Sequence, residues 1–241
     1  MPALRQGSLD ATTRLSLITV SSMSLRLNRG RRLTGELVLS VEGVARRFGE
    51  RNVVDGFDLQ LRAGERVALC GPNGSGKTTI LRCIAGTVSA TRGRMTVLGH
   101  QAGSIEARRS TGVSLSEERS FYLRLSGRDN LLFFAGIHGI GRSNARRLVK
   151  SLEDELELGA ILGKRVDRCS TGMVQQLAFA RTLIGSPRLL LLDEPTRSLD
   201  TEATERLWQA AEARPHLAVF MATHRDDDVA RCHRRLDLPW L

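Results

Sequence analysis

Hydrophobic and polar positions fall into short runs over the first half of the chain and into helical spacing only later. Leu37-Val38-Leu39-Ser40-Val41 and Phe57-Asp58-Leu59-Gln60-Leu61 include alternating segments, the mark of strands with one buried face, and together predict a small antiparallel layer. Arg62-Ala63-Gly64-Glu65 makes a turn into Arg66–Cys70, whose apolar run predicts a buried strand. Thr78–Ala85 predicts a helix with Ile80, Leu81 and Ile84 available to one face, and Met95–Leu98, after Arg92-Gly93, adds a strand to the antiparallel layer. From about residue 117 to residue 184 the spacing turns helical, most clearly in Asn130–Phe134 and Arg146–Leu158. Two more buried strands are predicted at Leu189–Leu192 and Leu217–Ala222, and both end in polar residues. Strand ends carry the ligand site in open parallel sheets, so Asp193, Glu194 and Thr223-His224 are expected beside the segment that follows Cys70.

That segment, Gly71-Pro72-Asn73-Gly74-Ser75-Gly76-Lys77-Thr78, is a complete phosphate-binding loop between a strand and a helix. Its glycines let backbone N–H groups turn inward around phosphate oxygens, and the helix N-terminus adds its positive dipole end. Lys77 reaches the β- and γ-phosphates, the Thr78 hydroxyl can ligate Mg²⁺, and Thr79 completes the nucleotide-contacting run from Gly71. Asp193 is expected to hold Mg²⁺ and Glu194 to orient and polarise the attacking water. The fold class is therefore α/β, a P-loop NTPase core with an antiparallel β layer and an inserted helical subdomain.

Composition changes this picture little. The 241 residues suit one domain with a sizeable core, and 41% hydrophobic residues suffice for it. A formal charge of +10 invites nucleic acid, an anionic surface or an acidic partner. The arginines are scattered in pairs such as Arg46-Arg47 and Arg146-Arg147, with no long basic block, so a solvated arginine-biased surface accounts for them better than a nucleic-acid footprint. Lysine occurs only at Lys77, Lys150 and Lys164, which leaves Lys77 as a slim point charge where a planar fork would serve poorly. Cys70, Cys83, Cys169 and Cys232 lack paired metal-ligand spacing and fit a reducing cytoplasm. No apolar run approaches the ~20 residues that span a bilayer. Residues 1–36 are read as an N-terminal extension, with Met23 as an alternative start; Leu15–Leu25 after Arg14 only loosely resembles a signal sequence.

The phosphate loop, Cys169-Ser170-Thr171-Gly172-Met173 before a helix, Leu192-Asp193-Glu194-Pro195-Thr196, Ser198-Leu199-Asp200 and Thr223-His224, in that order, resemble the nucleotide-binding subunit of ABC transporters over residues 37–241. The resemblance implies that Ser170 and Gly172 grip the γ-phosphate held by an opposite subunit. It implies that Asp200 belongs to the loop joining the two sites and that His224 is the switch histidine at the γ-phosphate. Phe48 matches the aromatic position that stacks on adenine; its other reading is a core phenylalanine at a strand end. Glu117 falls where the family has a glutamine that senses Mg²⁺ and the membrane partner, with Glu118 as a register alternative. The signature departs from the family at Cys169, Thr171 and Met173, a variant similar to that of exporters of drugs, lipids or polysaccharides.

Taken together, the motifs and the resemblance imply an ATP-hydrolysing subunit that binds ATP and Mg²⁺ and pairs with a second copy or a homologous subunit. Such a subunit acts on separate membrane permease subunits at the cytoplasmic face of the membrane, driving export. A soluble ABC-type ATPase working on nucleic acid or ribosomes is the alternative, and a regulatory module that binds nucleotide without turnover is a third reading. Single rather than tandem motifs and the absence of a long heptad insert oppose the second. Lys77, Asp193, Glu194 and His224 together oppose the third.

Overall fold

The computed structural model describes residues 25–27, 35–115 and 121–238. In chain order the elements are β1 (Leu25–Leu27), β2 (Leu37–Phe48), β3 (Arg51–Arg62), β4 (Arg66–Cys70), α1 (Lys77–Ala85), β5 (Arg92–Val97), β6 (His100–Gln101), α2 (Ile105–Arg109) and β7 (Thr111–Ser114). Next come α3 (Gly127–Ile137), α4 (Arg142–Glu155), α5 (Gly159–Leu162), a 3₁₀ turn at Val166–Arg168, α6 (Thr171–Thr182), β8 (Leu189–Asp193), α7 (Thr201–Glu212), β9 (Ala218–Ala222), α8 (Asp226–Ala230) and β10 (Arg234–Asp237).

Two sheets form. The larger runs β1-β10-β4-β9-β8-β7, parallel throughout except for β1, which pairs antiparallel to β10; the smaller runs β3-β2-β5-β6 and is antiparallel. The expected antiparallel layer is therefore present, but its first two strands are 12 residues each. Bulges hide that length from an alternation count: register shifts fall between Val41 and Val44, where Gly43 takes φ 56°, and the Gly43 N–H is satisfied by Asp58 Oδ1 at 2.7 Å. Leu25–Leu27, within the span read as an extension, joins the large sheet as an edge strand.

The continuous apolar strands are explained by burial on both faces. Leu189, Leu191, Phe220, Val67 and Leu69 pack toward the antiparallel layer and α1, whereas Leu190, Leu192, Val219, Met221 and Ala68 pack toward the helices. Full burial of a leucine contributes about 1.5–3 kcal/mol, so the central sheet glues the two layers together. The helical block is held by a stripe at helical spacing, Ala145, Val149 and Leu152 of α4, against Leu131, Leu162 and Leu177. The cysteines are all free, and burial pushes the Cys232 thiol up to about 12, which leaves it an inert packing group. Most important for the site, β4 lies beside β9 and β9 beside β8 with all three parallel, so the segments after Cys70, Asp193 and Ala222 emerge side by side.

Candidate nucleotide site

The loop after β4 is shaped by backbone that only glycine tolerates well. Gly71, Gly74 and Gly76 take φ 146°, 83° and 94°, and a Cβ on Gly76 would collide with the Val53 carbonyl oxygen on β3. α1 starts immediately afterward, so its free N–H groups face the loop's interior. Lys77, only 7% exposed, folds back and donates from Nζ to the carbonyl oxygens of Gly71 at 2.6 Å and Pro72 at 2.9 Å. Its charge is thereby parked in the loop. The Thr78 hydroxyl donates to Asp193 Oδ2 at 2.8 Å, which joins the loop to the end of β8.

Glu194 follows Asp193 in the left-handed region, φ 50°, a strained conformation for a residue with a Cβ. Three contacts hold it there. Its N–H donates to the Ala222 carbonyl at 2.9 Å, its own carbonyl accepts from Gln175 Nε2 of α6 at 2.6 Å, and the Arg197 N–H reaches the same carbonyl at 3.3 Å. The carboxylate is buried, and neither oxygen has an aligned hydrogen bond, although His224 Nε2 stands 3.0 Å from Oε1. Distance alone thus makes this an electrostatic contact and not a directed bond. Burial raises the Glu194 carboxyl above the ordinary carboxylate range; His224 opposes that rise and Asp193 adds to it.

A cleft of about 340 Å³ collects Asn73, Gly74, Gly76, Lys77, Thr78, Thr79, Asp193, Glu194 and His224, with Arg51, Val53 and Arg197 at its rim. The first nine were expected from sequence to meet. The last three were not: Arg51 and Val53 follow a hairpin turn that no motif marks, and Arg197 sits unremarked inside the Pro195–Asp200 stretch. Gln175 was missed too, its only signal being a polar residue on a helix that otherwise packs inward. Phe48 is 47% exposed with the Arg46 guanidinium 4.2 Å from its ring centroid, which removes the core reading.

Other expected residues lie elsewhere in the same chain. Ser170 is the N-cap of α6, its Oγ accepting the Met173 N–H at 3.3 Å, and it is exposed. A Cβ on Gly172 would stand 2.5 Å from the Ser198 carbonyl oxygen, so glycine is required there by close packing within the chain. Asp200 caps α7, with Oδ1 accepting the Ala203 N–H at 2.7 Å. None of the three lines the cleft. Glu117 and Glu118 fall outside the described residues.

The family model described as ABC transporter matches residues 54–197, more than half of the chain. The chain belongs to the ABC transporter family. It is 33% identical over 206 residues to a Nod factor export ATP-binding protein I of Rhizobium sp. (strain N33), covering 83% of this chain and 67% of that protein. It is 32% identical over 180 residues to a daunorubicin resistance ATP-binding protein of Streptomyces coeruleorubidus, covering 74% and 57%. Across such relatives the chain spans between 57% and 67% of their length. The fold is matched by an ATP-binding subunit of an ABC transporter, TM-score 0.76 at 24% identity over 83% of this chain and 85% of that one. It is also matched by a dimeric post-hydrolysis ATP-binding cassette bound to ADP and Pi, TM-score 0.75 at 22% identity over 83% and 94%.

Proposed function

We propose that the chain hydrolyses ATP as a dimer and drives export through separate membrane subunits, working at the cytoplasmic face of the membrane. The observation that carries this is the convergence of Lys77, Thr78, Asp193, Glu194 and His224 in one cleft. Lys77 leaves its loop carbonyls for the β- and γ-phosphates, exchanging neutral acceptors for anionic ones. Thr78 Oγ1 and Asp193 Oδ2, already 2.8 Å apart, form a hard oxygen pair suited to Mg²⁺. Held by Thr78 and Asp193, Mg²⁺ would neutralise charge on the phosphates. Glu194, buried and aimed into the cleft, orients the attacking water and takes up its proton, and His224 shares the same end of the cleft at the γ-phosphate.

Export is supported by the relatives, among them a Nod factor export ATP-binding protein and a daunorubicin resistance ATP-binding protein. No described helix is long and apolar enough to cross a membrane, so the described part of this chain is not the path. The docking surface we assign to the membrane subunit is an apolar groove of about 720 Å³ between α3 and α4, lined by Leu125, Leu132, Phe133, Ile137 and Ile140 with Arg142 and Arg146 beside them. Leu125, Phe133 and Ile137 are 40%, 41% and 64% exposed, a concentration of solvent-facing apolar surface that a monomer does not need.

Phosphate release from ATP by the purified chain, alone and with its membrane subunit, tests the reading. Glu194→Gln is expected to lower turnover by about 10²–10⁴-fold with nucleotide affinity retained, whereas Lys77→Ala weakens nucleotide binding itself. Steady-state hydrolysis by Glu194→Gln near the native rate would sink the assignment.

A further inference from the structure

The cleft's two strand-end loops share one buried anchor that does not line the cleft. Asp228, on α8, is fully buried. Its Oδ2 accepts from Thr196 Oγ1 at 2.5 Å and from Thr223 Oγ1 at 3.1 Å, and its Oδ1 accepts from the Trp208 Nε1–H at 3.1 Å. Thr196 lies two residues beyond Glu194, and Thr223 immediately precedes His224; both are fully buried. Arg225 closes the ring, its N–H donating to Thr223 Oγ1 at 3.1 Å and its guanidinium to the Thr196 carbonyl at 3.1 Å. Among the described residues Asp228 has no salt bridge.

A carboxylate stripped of water and given no cation partner is costly, and an apolar side chain would fill the same space without that cost. What a carboxylate alone supplies is acceptor capacity on every side, with no donor of its own to orient, so it can gather hydroxyl and indole donors arriving from three different elements. The two loops it ties are the ones that bring Glu194 and His224 to 3.0 Å. That approach has no aligned hydrogen bond of its own to maintain it. The spacing must therefore be imposed by the loops' anchorage.

We propose that Asp228 is a positioning residue for hydrolysis, clamping the loop after β8 to the loop after β9 through Thr196 and Thr223 so that Glu194 and His224 meet the reacting phosphate in fixed relation. The inference rests on the ATPase reading. Thr223→Val removes the hydroxyl and keeps the shape; Asp228→Asn removes the charge and keeps the shape. Each is expected to lower kcat about tenfold or more while the KM for ATP stays within about twofold, because the phosphate loop and Lys77 are left untouched. Thr223→Ser, which keeps the hydroxyl, restores turnover. The double variant is expected to fall no further than the worse single, since both cut one tie.

A second readout needs no turnover. The His224 ring resonance, assigned with His224→Gln in histidine-labelled protein, is expected to move in Thr223→Val and to return in Thr223→Ser. If a polar variant does not fold, Trp208→Phe removes the third donor from outside the cleft and should move the same resonance by a smaller amount. Native kcat in Thr223→Val, independent multiplication of the two single effects, or an unmoved His224 resonance in the folded variants overturns the clamp. Failure of the wild-type chain to hydrolyse ATP would count against the ATPase reading, and the resonance would still decide the clamp.

Discussion

α1 and α6 both begin where a tight segment delivers a helix N-terminus, yet the two are finished to different degrees. At α1 the loop's lysine, the Thr78 hydroxyl and the Asp193 carboxylate are drawn together within one chain, lysine and carboxylate both buried. At α6 the capping Ser170 is exposed and bonded only to its own helix, and no residue of the cleft faces it. The first start gathers its lysine, hydroxyl and carboxylate from its own chain. The second has helix-end donors and dipole, with Lys164 Nζ 3.9 Å from Met173 Sδ, but no loop that folds a lysine and a strand-end carboxylate into it as at α1.

The largest expected effect tests that difference. Ser170→Asp keeps a good N-cap, so the helix survives, but aims a carboxylate at any phosphate brought there by a second copy. Turnover should fall by about 10²-fold or more, the scale of losing an electrostatic contact to the reacting phosphate. Gly172 is unsuited to the same test, because any Cβ meets the Ser198 carbonyl and confounds packing with recognition. Co-expressing a Lys77→Ala copy with a Ser170→Asp copy places both defects in one composite site and leaves the other complete. The isolated heterodimer should then close on ATP where neither mutant homodimer does. Native turnover in Ser170→Asp, or a heterodimer no better than its parents while wild type closes, would return α6 to a purely structural role.

A smaller effect is expected at the groove between α3 and α4. Phe133→Asp and Ile137→Asp lie remote from the cleft, so basal hydrolysis should stay within about twofold; stability should stay within about 0.5 kcal/mol for Ile137→Asp, whereas Phe133→Asp gives up edge-on ring contacts with Tyr122 and Phe134 and costs about 1 kcal/mol. Stimulation by the membrane subunit should be lost. Full stimulation in both variants would move the docking surface elsewhere.

The two regions also differ in how far the sequence exposed them. The cleft was legible because strands buried on both faces leave unbroken apolar runs, as at Leu189–Leu192, and because a phosphate loop needs glycines and a lysine at fixed spacing. Strand β7 was not, since Thr111-Gly112-Val113-Ser114 carries almost no apolar signal; Gly112 is there because the Thr182 carbonyl lies against it. Strand β10 reads Arg-Arg-Leu-Asp, and pairing with β4 on one side and β1 on the other makes it a strand. The contact from Gln175 to the Glu194 carbonyl and the Asp228 anchorage join residues far apart in sequence through single hydrogen bonds, which leave no periodicity to detect. The exposure of Phe48 depends on a hairpin longer than the alternation suggested, which puts it at the end of β2.

The smallest expected effect concerns what the finished cleft costs when empty. Burial raises the Glu194 carboxyl above its ordinary value of 4.5, with His224 opposing, so the folded state holds a proton that the unfolded chain has already released. In that interval the native state binds more protons than the unfolded one, and stability therefore falls as pH rises through it. Below the ordinary value both states are protonated and the penalty is gone. Above the raised value it is fully present. Glu194→Gln removes the charge at fixed shape, so in the absence of nucleotide it should be more stable than wild type at pH 8, by about 1 kcal/mol, the low end of what an unsatisfied buried group costs. The gap should narrow as pH is lowered toward 4.5. Urea unfolding of the nucleotide-free proteins at several pH values measures it. The same raised carboxyl displaces the acid limb of kcat/KM upward from the usual carboxylate range, because Glu194 must be ionised to take the proton of water. A gap that widens on acidification, or no gap at pH 8, would mean that His224 and Lys77 offset the burial of Glu194 even without nucleotide, and the cleft would then be as relaxed as the start of α6.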